Sequence, residues 1–344
     1  MVDPYLQNLR NAVSDLTGAT SVKLTQVRGG LNNQVFKVET PTSRYALKQY
    51  RCFEGDSRNR LGTEFRALNF LRDHGVACVP EPVVSDPSRN LALYEWIDGD
   101  LVVQPTDGDI ISVLNFVRIL YALRKERDAV DLPLASETCL SLNELIRQIN
   151  GRIRRLESEA LKDERLGRFI YSELAPAFAA WSHSALREYA AMKTDPDVDL
   201  AQRLRTLSPA DFGFHNSRRL GADRLILLDF EYFGWDDPVK LATEFILHPG
   251  MSLSTQNKAQ LLRGFCKIYD GDPTFLDRVR LLYPLYSLRW CLIVLNDFLP
   301  DRWIRHANLW RDVDRYEILD EQLGKAEALL RAANESVMSI ADGN

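Results

Sequence analysis

The hydrophobic spacing of this chain changes period, and that change restricts it to a small sheet followed by a larger helical part. Asp3-Pro4 precedes apolar positions Leu6, Leu9, Val13 and Leu16, the pattern of a capped amphipathic helix. Val22, Leu24 and Val27 then alternate up to Gly29-Gly30, and 35–38 and 45–48 follow as short strands. Residues 63–71 have helical spacing, and 90–97 are strand-like again. From about Asp107 helices dominate, with expected spans 109–125, 141–160, 165–192, 254–269, 275–298 and 318–335. Within them lies one β-rich island, 205–233. The expected class is α+β, divided near Asp98-Gly99-Asp100 into a small β-rich part, 1–98, and a larger mainly helical part, 99–344.

A chain of 344 residues can bury one substantial core or two. Its net charge of −5, with both signs spread along the chain, lacks the basic footprint of a general nucleic-acid binder. Five scattered cysteines with no CxxC pair argue against a disulfide framework or a structural zinc site. The N-terminus shows no basic region leading into an apolar run, and apolar runs such as 225–230 are too short to span a bilayer. A cytoplasmic location without nucleic-acid or membrane partners is expected. Nothing in the sequence fixes an oligomeric state.

The chemistry concentrates in Ser208-Pro209-Ala210-Asp211-Phe212-Gly213-Phe214-His215-Asn216 and Leu227-Leu228-Asp229-Phe230-Glu231. One carboxylate, Asp211, suits a base for an attacking hydroxyl, while the Asn216 amide and the Asp229 carboxylate suit a metal on phosphates. The apolar run 225–228 delivers Asp229, and a carboxylate there is costly to bury unless paired or on a metal. Gly29, Gly30 and Asn32 form a turn whose backbone N–H groups can approach phosphate, although an ordinary hairpin turn uses the same residues. Lys48 ends a Tyr-Ala-Leu-Lys strand, and Glu64 lies sixteen residues on in a helix, the spacing of a phosphate-binding Lys and its Glu partner. Glu95, Trp96 and Ile97 end a strand whose backbone can face an adenine edge, although a plain connecting strand with a turn at Asp98-Gly99 uses the same residues. His215 reads as a structural histidine rather than a second base, since Asp211 fills that role. Asp236 and Asp237 read as caps ahead of Pro238 in preference to hydrogen-bonded closures of the catalytic loop. Strand alternation puts Glu231 on the face of Asp229 only approximately, which leaves its role open. Trp290 and Asp297 suit a core or a substrate cleft.

In order and spacing, these residues together with Asp237-Pro238 resemble the aminoglycoside phosphotransferase and choline kinase-like family, over roughly residues 20–300. The resemblance implies a protein-kinase-like bilobal fold, with a small β-rich N-lobe, a larger mainly helical C-lobe, Mg-ATP in the cleft and a small-molecule hydroxyl as acceptor. Acceptors in the family include amines, aminoglycosides, sugars and amino acids. Three local departures mark this chain. Pro209-Ala210 replaces the usual His-Gly, Gly213-Phe214-His215 replaces His-Pro-Gly, and Lys240-Leu241-Ala242 stands where many members have Asp-Leu-Ala. Asp211, Asn216 and Asp229 are kept. A nucleotide-binding regulatory module with little turnover, a kinase acting on proteins and a transferase of AMP remain as alternatives. No Ala-Pro-Glu follows Asp229, as it does in protein kinases.

Overall fold

The computed structural model describes residues 3–27, 33–52, 56, 58–221, 224–251, 253–306 and 314–342. They form two compact units, one of 1–102, 125–133 and 209–234, the other of 103–124, 134–208 and 235–344. The Asp-bearing loops of the β-rich island therefore group with the N-terminal sheet. This places Lys48, Glu64, Asp211, Asn216 and Asp229 in one unit.

The first unit is built on five antiparallel strands: β1 (Lys23–Val27), β2 (Asn33–Glu39), β3 (Arg44–Tyr50), β4 (Pro82–Asp86) and β5 (Leu91–Glu95). Their order is β1-β2-β3-β5-β4, with Val35, Lys48 and Ala92 in register across the three middle strands. The first helix, α1 (Pro4–Thr17), starts where Asp3 accepts from the Tyr5 N–H. Its Leu9, Ala12 and Val13 pack with Phe36, Val38, Leu47, Leu91 and Leu93. Each larger side chain buried there stabilises the sheet by about 1.5–3 kcal/mol relative to exposure. Because strand side chains alternate between faces, Leu47 pointing into this cluster turns Lys48 and Tyr50 to the other face. There α2 (Arg60–Asp73) buries Glu64 against both.

A hairpin of Ser217–Leu220 with Arg224–Leu227 carries the two motif loops at its open end. It is tied to its unit by Leu227 N donating to the Cys78 carbonyl at 2.9 Å and by pairing of Asp100–Leu101 with Arg218 and Arg219. Gly99 is required at that junction, since a Cβ there would lie 2.9 Å from the Arg219 carbonyl oxygen.

In the second unit the helix Phe275–Val294 is central and packs against Pro238–Leu247, Leu142–Ala160 and Arg315–Asp342. The run expected at 165–192 is helical throughout, passing from Glu164–Arg168 to Ala175–Ala191 through a wider turn. Asp237 caps Pro238–Leu247 by accepting from Val239 N at 2.8 Å, as the Asp-Pro pair implied, and it also pairs with Arg278. Burial pushes the Asp237 carboxyl up, and Arg278 opposes that. A cavity of about 500 Å³ opens in this unit among Leu140, Ser141, Glu144, Arg147, Asp197 and Asp199. Among the described residues no helix is long and apolar enough to cross a membrane.

Candidate active site

Lys48 is the hub of the site. Its ammonium lies 2.6 Å from Glu64 Oε2, 2.7 Å from Asp229 Oδ1 and 3.3 Å from Glu231 Oε2. Burial alone lowers an ammonium pKa, but here Asp229, Glu64 and Glu231 outweigh it and hold Lys48 well above its ordinary value. The Lys48–Glu64 pair expected from the spacing is therefore present, and Glu64 does more than pair. It accepts from the Tyr50 hydroxyl at 2.6 Å and from Phe230 N at 3.2 Å. One helix carboxylate thus links the sheet lysine to the loop that carries Asp229.

Asp229 adopts the left-handed backbone region, with φ 68°, which Asp tolerates better than most residues. The sharp turn brings Asp229 to Lys48 and leaves Phe230 buried. Burial pushes the Asp229 carboxyl up, Lys48 opposes this, and Glu64 adds to the rise. Glu231 is raised by burial and then by Asp229. Oxygens of Glu64, Asp229 and Glu231 lie within 4.8 Å of one another. Three carboxylates crowd one ammonium, with Arg60 Nε 3.7 Å from Glu231. An all-oxygen set with surplus negative charge suits a hard divalent cation such as Mg²⁺.

The catalytic-loop residues are fixed by a compact turn. Ala210 has φ 65°, Asp211 N donates to the Pro209 carbonyl at 3.0 Å, and Phe212 N donates to the Ala210 carbonyl at 2.9 Å. Phe212 and Phe214 are buried on either side of Gly213. Asn216 closes the loop, its Nδ2 donating to the Asp211 carbonyl at 3.1 Å while Leu228 N donates to the Asn216 carbonyl at 2.8 Å. With Nδ2 so engaged, Oδ1 is the Asn216 atom suited to bind a cation. His215 is no bystander: its Nε2 sits 3.1 Å from Asp211 Oδ1.

Glu95 ends β5 with its N–H donating to the Glu81 carbonyl at 2.9 Å, and Lys37 lies over the Trp96 ring at 5.1 Å. Ile97 follows and is half-buried. Gly29, Gly30 and Asn32 lie outside the described residues. The neighbouring Asn33 was not singled out, yet it is buried and its Nδ2 donates to Glu231 Oε2. Sheet register puts it there: Asn33 pairs with Tyr50 as Val35 pairs with Lys48, so Asn33 lies on the lysine's face.

A five-stranded antiparallel sheet with a Lys–Glu–Asp cluster, and a mainly helical remainder, define a protein-kinase-like fold. The chain belongs to the phosphotransferase enzyme family (APH), whose profile matches residues 23–240. No curated protein matches it by sequence. Among solved structures it is similar to a spectinomycin phosphotransferase in complex with ADP and spectinomycin, with TM-score 0.61 and 12% identity over 94% of this chain and 98% of that one. It is also similar to choline kinase from Cryptosporidium parvum, with TM-score 0.58 and 12% identity over 94% and 99%. A third is a choline/ethanolamine kinase family protein from Mesorhizobium loti, with TM-score 0.55 and 18% identity over 96% and 98%.

Proposed function

We propose that this phosphotransferase is a Mg-ATP-dependent kinase acting on a hydroxyl of a small molecule. The observation that carries the reading is Lys48 shared between Glu64 at 2.6 Å and Asp229 at 2.7 Å, with Asp211 and Asn216 on the same unit. A lysine held by a helix carboxylate and by a metal-site aspartate is the arrangement that aligns nucleotide phosphates for transfer. Lys48 positions the α- and β-phosphates. Asn216 and Asp229 would hold Mg²⁺, and the ion would supply charge neutralisation on the phosphates. The family motif assigns phosphate binding to Gly29, Gly30 and Asn32, and those backbone groups of Glu95, Trp96 and Ile97 that make no sheet bond would receive the adenine edge.

Asp211 orients the acceptor hydroxyl and takes its proton as the new O–P bond forms and the bond from the γ-phosphorus to ADP breaks. Positioning and charge compensation carry the rate, since the protein forms no covalent intermediate. For the acceptor we infer a hydroxyl compound bearing an amine. Two of the similar structures are of kinases named for choline or ethanolamine, and the cavity of the helical unit sets Glu144, Asp197 and Asp199 against one arginine, Arg147.

The test is ADP release from Mg-ATP against pools of amino alcohols, aminoglycosides, sugars and amino acids, with Asp211→Asn run beside the wild type. Stimulation in the wild type that Asp211→Asn abolishes is expected. ADP release that no pool stimulates, or an equally active Asp211→Asn, overturns the reading.

A further inference from the structure

His215 touches Asp211 from a position where the related motif carries glycine. The short helical turn Phe214–Asn216 swings the imidazole back over four residues, leaving Nε2 3.1 Å from Asp211 Oδ1. The turn is locked independently of that contact. Phe214 is buried, Ser217 Oγ donates to the Phe214 carbonyl at 2.7 Å, and Asn216 N donates to the Gly213 carbonyl at 3.0 Å. Asp211 differs: its side chain is 41% exposed, against 23% for His215. A part-exposed carboxylate has several rotamers open to it, and a donor fixed by its own backbone favours the one that it bonds. His215 is such a donor, anchored by its backbone and lying within hydrogen-bond reach.

We propose that His215 is a positioning residue for phosphoryl transfer, donating from Nε2 to Asp211 Oδ1 and fixing the carboxylate in the orientation that receives the acceptor's proton. The inference rests on the phosphotransfer reading for its consequence, but not for the contact itself. The arrangement compensates for the altered loop. Gly213 stands where relatives carry the histidine of His-Pro-Gly, and a histidine returns two residues later with its ring on the base.

The test has a kinetic and a spectroscopic arm. Gln carries its amide nitrogen as many bonds from Cβ as His carries Nε2, whereas Asn is one bond too short. His215→Ala and His215→Asn are therefore expected to lower kcat by about tenfold to a hundredfold, the scale of a misplaced reacting group. KM for ATP should stay at its wild-type value, and His215→Gln should recover most of the kcat. In ¹⁵N spectra of the wild type, His215 should carry its proton on Nε2, and Asp211→Ala should change that signal. His215→Gln as slow as His215→Ala, or a proton on Nδ1 in an active enzyme, overturns the inference alone. An Nε2 proton in a wild type that no acceptor pool stimulates overturns the phosphotransfer reading, and the positioning role with it.

Discussion

Lys48 and Asp229 lie 181 positions apart in sequence, yet the ammonium sits 2.7 Å from the Asp229 carboxylate while also bound to Glu64. Removing the lysine leaves the buried Glu64 and Glu231 facing each other and the half-buried Asp229 without their shared cation. Lys48→Met is expected to lose about 3–5 kcal/mol of unfolding free energy in metal-free urea titrations, the cost of stranding buried charge. Mg²⁺ should recover part of that loss, and turnover should fall by about a hundredfold or more because a phosphate-positioning cation is gone. A variant as stable as the wild type without metal would show that the cluster is not charge-crowded.

The raised carboxylates give a pH dependence of definite sign. Burial first, then the neighbouring carboxylates, lift Asp229 above its ordinary 3.8. The folded apoprotein therefore holds a proton that the unfolded chain has released, and this contribution to stability falls as pH rises through that window. Asp229→Asn removes the crowded charge. In metal-free buffer it should be more stable than the wild type at pH 7, with the gap closing towards pH 4. It should also lack the Mg²⁺-dependent rise in Tm expected of the wild type. Denaturation of both proteins across this pH range, with and without Mg²⁺, checks the sign and its reversal by metal.

Legibility in the sequence followed physical signal. Helices with one apolar stripe announced themselves: the span expected at 141–160 is Leu142–Ala160, and that at 254–269 is Thr255–Ile268. Pro238–Leu247 was marked only by its Asp-Pro start, because all ten of its residues are buried and no stripe distinguishes a face. Strand Pro82–Asp86 lacks alternation and has no apolar side chain after Val84, so nothing in its pattern announced it. The pairing of Lys48 with Glu64 followed from spacing between a strand and the next helix. The positions of Asn33 and His215 did not, because they depend on sheet register and on the direction of a single turn. Whether Glu231 faces Asp229 was undecidable by alternation, since the left-handed backbone at Asp229 breaks the strand rule.

Lys240 stands where the resemblance puts an acidic residue in many members, and here it is ion-paired with acidic neighbours. The ammonium is 1% exposed, lies 2.5 Å from Asp236 Oδ2 and 3.8 Å from Glu244 Oε2, and is fixed on Pro238–Leu247. Asp236 also accepts from the Thr138 hydroxyl at 2.8 Å and from Asp237 N at 2.9 Å, so it cannot move away. Lys240→Met is expected to destabilise the protein by about 3–5 kcal/mol, and Lys240→Met/Asp236→Asn to recover much of it. Lys240→Asp restores the family residue and should be the least stable of the three, because it sets carboxylates together in a buried space. Urea midpoints for the set check the order.

Ala210 precedes the proposed base with φ 65°, a backbone region that costs a residue bearing a Cβ about 1–2 kcal/mol. Relatives place glycine at this point, and glycine adopts the region freely. Its greater freedom in the unfolded chain takes back about 0.5–1 kcal/mol. Ala210→Gly should therefore stabilise the protein by a net of about 0.5–1 kcal/mol. Turnover separates two accounts of why alanine is tolerated. If the turn is held by its own hydrogen bonds, Asp211 N to Pro209 and Phe212 N to Ala210, then glycine keeps kcat while raising Tm. If instead the Cβ restrains the loop that presents Asp211, kcat falls as Tm rises. The two bonds and the buried Phe212 and Phe214 already fix the loop on both sides, so unchanged kcat with a higher Tm is the expected result.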